Sequence, residues 1–228
     1  MHDPTRVSSS LFPAAYLERR SQYRSFMDAH VFPNEGQLDR EDDAAQELVA
    51  RLQEKARSTG LWAPHMPPEA GGTGDGFLYY ACVNEEIGRS HWAQLVFGCQ
   101  APDAGNAEIL HSFGTPEQKE RFLEPLVAGR ARSFFSMTEP DVAGSDPTLL
   151  RTTAVLDGDD WVIDGIKWFS SGADGASFGI VFAITDPDAD PYERGTMILV
   201  PAETPGLEVA RPTVVMGHGG RALSLIHI

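Results

Sequence analysis

The sequence contains no apolar run long enough to span a lipid bilayer. Its first ten residues, MHDPTRVSSS, lack the continuous apolar segment of a secretory signal. Cysteine is almost absent, since Cys82 and Cys99 are the only two and do not form a Cys-x-x-Cys pair. These absences argue against a disulfide framework and predict a reduced, cytoplasmic setting in which both thiols are buried and unreactive.

Basic residues are also few. The 18 Lys and Arg stand against 33 Asp and Glu, which gives a formal net charge of −15. This balance argues against nucleic acid as a partner, because phosphate contacts need Lys and Arg. It does not exclude an anionic small molecule, which backbone N–H groups, hydroxyls and helix N-termini can bind locally.

The familiar phosphate, metal and nucleophile motifs are missing. GGTGDG at 71–76 follows no strand and precedes no Gly-Lys-Ser/Thr, so we expect a flexible connection between helices. DPDADP at 186–191 fails as a calcium loop because Pro191 and Met197 occupy the sixth and twelfth positions. There is no Gly-x-Ser-x-Gly, no His-Glu-x-x-His and no His/Cys cluster at ligand spacing, so no metal site is predicted.

Residues 1–132 are predicted to form an all-helical N-terminal domain. In DDAAQELVARLQEKA the apolar residues recur at helical spacing, at Ala45, Leu48, Val49, Leu52 and Ala56. Asp75 is expected to cap the helix GFLYYACVNEEI, and Gly88 to end it.

Two more helices are indicated before the pattern changes. NAEILHSFG places apolar side chains at Ile109, Leu110 and Phe113. The segment TPEQKERFLEPLVAG begins with Thr115 as N-cap and Gln118 as its capping-box partner. Pro125 is expected to kink or shorten that helix, because proline removes a backbone hydrogen bond.

Residues 133–222 are predicted to form a middle β domain, with the boundary near 130–133. TTAVLDGDDWVID indicates two strands around a turn at Asp157-Gly158. GIKWF, FGIVFAIT, TMILVP and LEVARP are short, rich in β-branched and aromatic residues, and separated by Gly, Pro or Asp. The fold class is therefore α+β, with a helical domain followed by a barrel-like or sandwich-like β domain.

Two motifs in the β half stand out. FFSMTEPDVAGSD at 134–146 combines hydroxyls with small residues after a strand, and IKWFSSGA at 166–173 ends a strand with Trp, Ser and Gly. Taken alone, Trp168 is more typical of core packing and Ser170 of a turn. Found together about one hairpin apart, the two motifs resemble the flavin-binding pattern of the acyl-CoA dehydrogenase family.

The resemblance extends over about residues 12–222. GLWAPHMPPEAGGTG, NEEIGRS and FGTPEQKERFLEPLVAGR are similar to the family's N-terminal helical domain. The segment TEPDVAGSD at 138–146, preceded by Met137, has one residue more than the commoner TEPGAGSD, with the extra residue in Asp141-Val142. This variant, with MILVPAETPG and RPTVVMGHGG, resembles the branch that contains the human family members ten and eleven.

The resemblance implies FAD as cofactor and an acyl-CoA as substrate. The implied flavin contacts are Phe135, Ser136, Met137, Thr138, Gly144, Ser145, Trp168, Phe169 and Ser170. Ser145 is also the implied acyl-CoA contact. The residue types suit this chemistry, because the polar edge of a flavin needs N–H groups and hydroxyls and its face accepts a stacked aromatic ring. Small residues at Ala143-Gly144 allow the backbone to approach a diphosphate.

In this family a carboxylate removes the α-proton, the β-hydride passes to the flavin and electrons leave to an electron-transfer flavoprotein. The base belongs to a C-terminal four-helix bundle that this sequence does not contain, so no catalytic base is assigned here and the fragment alone is expected to be inactive. Glu139 of Thr-Glu-Pro is by resemblance a structural loop residue. A homodimer or homotetramer is implied for the full-length protein, in fatty acid metabolism.

Two alternatives remain open at this stage: an acyl-CoA oxidase or flavin monooxygenase of the same fold, and a non-catalytic flavin- or CoA-binding scaffold. The last six residues, LSLIHI, match a translation of a transposon-end sequencing adapter. Residues 223–228 are therefore predicted to be a non-native tail on a truncated chain, the alternative being a native apolar strand.

Overall fold

The computed structural model describes residues 11–213 and 223–228. They form two compact units, one running up to Gln100 together with His111–Phe113, the other comprising Ala101–Leu110 and the described residues from Gly114 onward. No helix in these ranges is both long and apolar enough to cross a membrane. The expectations for residues 1–10 and for the VVMGHGG part of RPTVVMGHGG lie outside the described residues.

The helices occupy the first part of the chain. Helices α1 to α8 span Ala14–Phe26, Glu35–Leu38, Asp43–Ser58, Gly76–Ile87, Ala93–Val96, Asp103–Phe113, Pro116–Gln118 and Glu124–Val127. π-helical turns occupy Met27–Val31 and Lys119–Leu123, and 3₁₀ turns occupy Phe32–Asn34, Pro68–Ala70 and Pro147–Leu149.

The core of the first unit includes buried apolar residues of α1, α3 and α4. The apolar stripe predicted for α3 is confirmed, since Ala45, Leu48, Leu52 and Ala56 are buried and Val49 is half-buried. Tyr23 and Phe26 of α1 pack edge-on or tilted against Phe97, with ring centroids about 5 Å apart. Both cysteines are buried and free, as expected, and burial raises the pKa of Cys99 to about 12.

The expectations for helix ends and for Pro125 differ in outcome. Helix α4 has the predicted bounds, but Asp75 makes no capping hydrogen bond because its carboxylate accepts the hydroxyl of Tyr16 at 3.0 Å. The capping box of Thr115 and Gln118 is confirmed. The chain before Pro125 widens into the π turn at Lys119–Leu123, as expected of a residue that cannot donate its backbone hydrogen bond.

GGTGDG does connect two helical segments, but it is held by defined contacts. Thr73 donates its hydroxyl to the carbonyl of Trp62 at 2.8 Å, and the N–H of Gly74 bonds the carbonyl of Met66 at 2.8 Å. A Cβ on Gly72 would lie 2.1 Å from the Met66 carbonyl oxygen. The glycines therefore permit close backbone packing.

The second half forms one mixed sheet. Strands β1 to β8 span Ser133–Ser136, Thr153–Asp157, Asp160–Asp164, Ile166–Ser171, Phe178–Ile184, Gly195–Pro201, Glu208–Pro212 and Leu223–His227. The order is β3-β2-β5-β1-β4-β8-β7, and β6 also pairs with β5. β1 and β2 run parallel to β5, and the other pairs are antiparallel. The predicted α+β organisation is confirmed.

The core of the sheet lies around β5. Phe134, Val181 and Val200 are buried together, and a Cβ on Gly179 would lie within 2.1 Å of the Phe134 ring. Gly179 thus leaves room for an aromatic ring from the parallel neighbour. The predicted hairpin of β2 and β3 forms, but its turn lies one residue later than Asp157-Gly158: Asp157 pairs with Asp160 as the last residue of β2, so Gly158 and Asp159 are the two turn residues.

β8 lies between β4 and β7, and Ile226 on it is buried. The non-native origin of residues 223–228 stays a prediction. The division into units places α7 and α8 with the sheet, so it does not coincide with the change from helices to strands. The domain boundary near 130–133 likewise stays a prediction.

Candidate functional site

The two motifs meet where β1 leaves the sheet beside β4. Phe135 is the register partner of Ser171 in the antiparallel pair. Just beyond, the N–H of Trp168 donates to the carbonyl of Thr138 at 3.0 Å, and the Thr138 hydroxyl donates to the carbonyl of Trp168 at 2.7 Å. Segments 30 residues apart in sequence are therefore joined by two hydrogen bonds at this junction.

β4 is irregular at this point. Its pairing with β8 shifts register between Lys167 and Ser170, and Phe169 has a φ of 52°, a left-handed conformation that is uncommon for a bulky residue. Bulges of this kind redirect side chains, often next to functional sites. The rings of Trp168 and Phe169 lie 4.6 Å apart, with Trp168 half-buried and Phe169 exposed, so both present aromatic surface here.

A hydroxyl pair lies under the junction. The Oγ atoms of Ser136 and Ser170 are 2.7 Å apart, and both residues are buried. A hydroxyl that receives this hydrogen bond keeps its own proton free to donate elsewhere. The structure thus joins Ser136 and Ser170, which the sequence predicted only as separate flavin contacts.

The loop after Thr138 returns towards the junction at Gly144. A Cβ on Gly144 would lie 3.0 Å from the Cγ2 of Thr138, so a glycine suits this position. Ser145 is exposed. Asp146 closes the loop by accepting hydrogen bonds from the backbone N–H and the hydroxyl of Thr148.

Glu139 points into the protein rather than towards solvent. Its Oε1 accepts from Lys167 Nζ and from the N–H of Thr152, both at 2.8 Å, and its Oε2 accepts from the N–H of Arg151 at 2.7 Å. Burial alone would raise the pKa of Glu139, but these hydrogen bonds outweigh it and hold the pKa below its usual value. The contacts support a structural role.

Lys167 was missed by the sequence analysis. Its side chain is fully buried, and Nζ donates to the carbonyl of Met137 and to Glu139 Oε1, both at 2.8 Å. A lysine between Ile166 and Trp168 is expected to face solvent, because side chains alternate between the two faces of a strand. The alternation of apolar and polar residues therefore gives no sign that Lys167 is buried. The only available hint was the Thr-Glu-Pro glutamate, which needs a cation if it is buried.

The start of β1 is held from α6. Asp103 Oδ1 accepts the backbone N–H and the hydroxyl of Ser133, each at 2.7 Å, and Asp103 Oδ2 accepts from Arg132 Nε at 2.7 Å. Asn106 donates to the Ser133 hydroxyl at 2.9 Å and to the carbonyl of Phe134 at 3.0 Å. β1 is therefore fixed at its start by α6 and at its end by β4.

The junction fits a flavin in its chemistry. Aromatic surface from Trp168 and Phe169 lies beside backbone and hydroxyl groups of residues 136–138, and a flavin combines an apolar face with a polar edge. In the described part of the chain, no group of three His, Cys, Asp or Glu side chains is arranged to hold a metal ion.

Comparison with known sequences supports the same family resemblance. Residues 15–130 match the family model for the acyl-CoA dehydrogenase N-terminal domain, and residues 134–228 match that for the middle domain. Acyl-CoA dehydrogenase family member 11 of Gallus gallus is 39% identical over 94% of this chain and 30% of its own length. Family member 10 of Mus musculus is 38% identical over 86% of this chain and 20% of its own.

A probable acyl-CoA dehydrogenase of Mycobacterium tuberculosis, FadE2, is 41% identical over 90% of this chain and 52% of its own length. The chain thus spans about half or less of these relatives. A putative acyl-CoA dehydrogenase structure from Mycobacterium abscessus superposes with a TM-score of 0.84 at 40% identity, covering 94% of this chain and 57% of that one.

A glutaryl-CoA dehydrogenase from Mycobacterium smegmatis, solved in complex with FADH2, superposes with a TM-score of 0.73 at 25% identity, over 96% of this chain and 53% of that one. The resemblance read from the two motifs, including the branch of members ten and eleven, is confirmed. The chain belongs to the acyl-CoA dehydrogenase family.

Proposed function

We propose that this chain is the N-terminal and middle part of an FAD-dependent acyl-CoA dehydrogenase, which oxidises an acyl-CoA thioester to the 2-enoyl-CoA. The observation that carries the proposal is the junction of β1 and β4, in which Thr138 and Trp168 are joined by two hydrogen bonds. Family membership and the FADH2 bound to the M. smegmatis relative support it.

A bound flavin would supply the acceptor for the β-hydride of the substrate. The chain's own residues bind and orient it. Trp168 and Phe169 would cover an apolar face of the ring, and Met137, Thr138 and Ser170 would hold its polar edge. Ser136 supports the Ser170 hydroxyl from below, 2.7 Å away.

The loop at 143–146 is the proposed substrate side of the site. Ser145 is exposed there and offers its hydroxyl to the acyl-CoA. Gly144 keeps the loop close to Thr138, where any side chain would press on Cγ2. The loop thus brings a substrate contact next to the flavin contacts.

Proton abstraction is assigned to a carboxylate beyond these 228 residues. Glu139 is unsuited to it, because both its oxygens accept hydrogen bonds from the protein interior. The proposed electron acceptor is an electron-transfer flavoprotein, and the full-length protein is proposed to be a homodimer or homotetramer in the cytoplasm.

The test uses full-length protein purified with FAD. Acyl-CoAs of graded chain length are supplied with an artificial electron acceptor under anaerobic conditions, and products are identified by mass. The proposal predicts 2-enoyl-CoA formation that depends on the acceptor. Rapid turnover with oxygen alone would instead identify an oxidase or monooxygenase, and flavin binding without any acyl-CoA oxidation would identify a scaffold.

A further inference from the structure

Lys167 is the one fully buried cation in the described part of the chain, and it lies directly under the proposed flavin site. Its Nζ donates to the carbonyl of Met137 and to Glu139 Oε1, each at 2.8 Å. We propose that Lys167 is a positioning residue for the flavin: it fixes the backbone of residues 137–139 so that the backbone N–H groups of Met137 and Thr138 face the ring edge. This inference rests on the proposed function.

The lysine joins three separate parts of the sheet. It belongs to β4, its acceptors belong to the segment that leaves β1, and Glu139 in turn accepts the N–H groups of Arg151 and Thr152 at the entrance to β2. A shift of any one part therefore strains hydrogen bonds to the other two. The segment 137–139 is the part that carries proposed flavin contacts.

The segment is held on both sides of Thr138. On one side, the backbone and hydroxyl of Thr138 bond to Trp168. On the other, Lys167 holds the carbonyl of Met137 towards the protein interior. Because Lys167 and Trp168 are consecutive, the residue proposed to stack on the flavin and the residue that sets its polar edge move together. Precise placement of this kind depends on supporting contacts behind the site.

A purely structural role makes a different prediction. A buried ion pair can often be replaced by neutral residues of similar size without loss of stability, whereas removal of one partner alone leaves an uncompensated buried charge. If Lys167 serves only stability, neutralising both partners restores everything. If it positions Met137, that replacement restores the fold but not the hydrogen bond to the Met137 carbonyl.

The experiment compares Lys167→Met, the double variant Glu139→Gln/Lys167→Met, and the exposed-lysine control Lys55→Met in full-length protein. Thermal midpoint, FAD dissociation constant, flavin absorbance and reduction potential are measured for each. We expect Lys167→Met to lower the midpoint and weaken FAD binding. In the double variant the midpoint should recover in part, because the amide that replaces the carboxylate can accept from only one of the two backbone N–H groups. FAD binding should stay about 5- to 10-fold weaker, as for one lost hydrogen bond, with altered absorbance and potential.

Recovery of both midpoint and flavin properties in the double variant would overturn the inference. So would wild-type flavin properties in Lys167→Met, or a double variant that does not fold, since the pair would then be required by the fold itself. The inference and the proposed function fail separately. Full-length wild-type protein that binds no FAD contradicts the function, whereas FAD-loaded protein indifferent to Lys167 contradicts only the positioning role.

Discussion

At the residue scale, two buried glutamates differ in how their charge is satisfied. Glu86 of α4 accepts hydrogen bonds from three arginines, Arg20, Arg24 and Arg89, at 2.6–3.2 Å. Glu139 has one lysine and two backbone N–H groups. In both cases the carboxylate is fixed by donors from different elements, so each is a structural anchor.

Glu86→Gln is expected to destabilise the first unit by about 1.5–3 kcal/mol, the usual effect of losing a hydrogen bond to a charged group. Urea unfolding followed by circular dichroism measures it. Glu47→Gln is the matched control, because Glu47 is 76% exposed and forms only a long ion pair, with 3.9 Å between its Oε2 and Arg51 Nη1. The effect of this substitution should stay within about 0.5 kcal/mol. Equal effects of the two substitutions would contradict the anchoring role.

The same carboxylate predicts a pH dependence. Burial would raise the pKa of Glu86, but hydrogen bonds from Arg24, Arg89 and Arg20 outweigh it and lower the pKa from 4.5 to about 2. A lowered folded-state pKa contributes stability that is present above pH 4.5 and is lost as the pH falls towards 2. Wild type should therefore lose more stability than Glu86→Gln over that range. Parallel curves of unfolding free energy against pH would refute this.

Ser170→Ala tests the hydroxyl pair of Ser136 and Ser170 at the proposed flavin site. In full-length protein it should weaken FAD binding by about 0.5–1.5 kcal/mol, the net value of one hydrogen bond, and shift flavin absorbance or reduction potential. Ser177→Ala, at an exposed serine on the same unit, is the control. Unchanged affinity, absorbance and potential in Ser170→Ala would show that this hydroxyl does not reach the cofactor.

At the element scale, β1 is the central component of the site. α6 fixes its start through Asp103 and Asn106, and β4 fixes its end through Trp168. Between these points it runs parallel to β5 along four residue pairs. Any shift of β1 along its axis therefore moves residues 135–138 relative to Trp168.

Asp103→Ala is expected to destabilise the second unit by about 1–3 kcal/mol, because it leaves the buried N–H of Ser133 without this acceptor. Glu108→Ala, at an exposed position of the same helix, should change stability by less than about 0.5 kcal/mol. Chemical unfolding monitored by the tryptophans of the β half reports both. A silent Asp103→Ala would mean that α6 does not hold β1.

Local sequence signals were sufficient for most elements. The stripe of α3, the capping box at Thr115 and the β2–β3 hairpin follow from periodicity and turn chemistry within a few residues. The sheet order was not predictable, because β5 pairs in parallel with β1 and β2 across distant stretches of sequence. Asp75 failed as a cap for the same reason, since its competing donor Tyr16 lies 59 residues away.

The candidate site was likewise only partly predictable from the sequence. Its residue types were visible in two motifs, because a flavin demands hydroxyls, small residues and an aromatic ring close together. The contacts that hold the site, Ser136 with Ser170 and Lys167 with Glu139, span about 30 residues and have no local signature. Burial of Lys167 in particular is decided by tertiary packing, which strand alternation does not report.

At the scale of the whole molecule, several large apolar side chains are exposed instead of being packed in the core. The hairpin of β2 and β3 exposes Val155 and Val162 on one face and Leu156 and Trp161 on the other. Two-sided exposure of this kind is typical of surfaces that a further segment or subunit covers. The chain also spans only 52% of FadE2 and 57% of the M. abscessus protein.

Residues 1–222 expressed alone are therefore expected to aggregate, to bind FAD weakly and to give no acyl-CoA turnover. Loss of a positioned base alone lowers a rate about 10²–10⁴-fold. Light scattering, flavin retention on gel filtration and an acceptor-coupled assay measure the three properties. A soluble, flavin-loaded fragment with robust turnover would contradict the assignment of the base to residues beyond this chain.

The most direct measurement of the central claim is a single-turnover reduction of the bound flavin. Full-length protein loaded with FAD is mixed anaerobically with one equivalent of an acyl-CoA, and the flavin absorbance near its long-wavelength maximum is followed. We expect the absorbance to bleach as 2-enoyl-CoA forms in equal amount. Full FAD occupancy with no bleaching by any acyl-CoA tested would contradict the dehydrogenase function, whatever the fold.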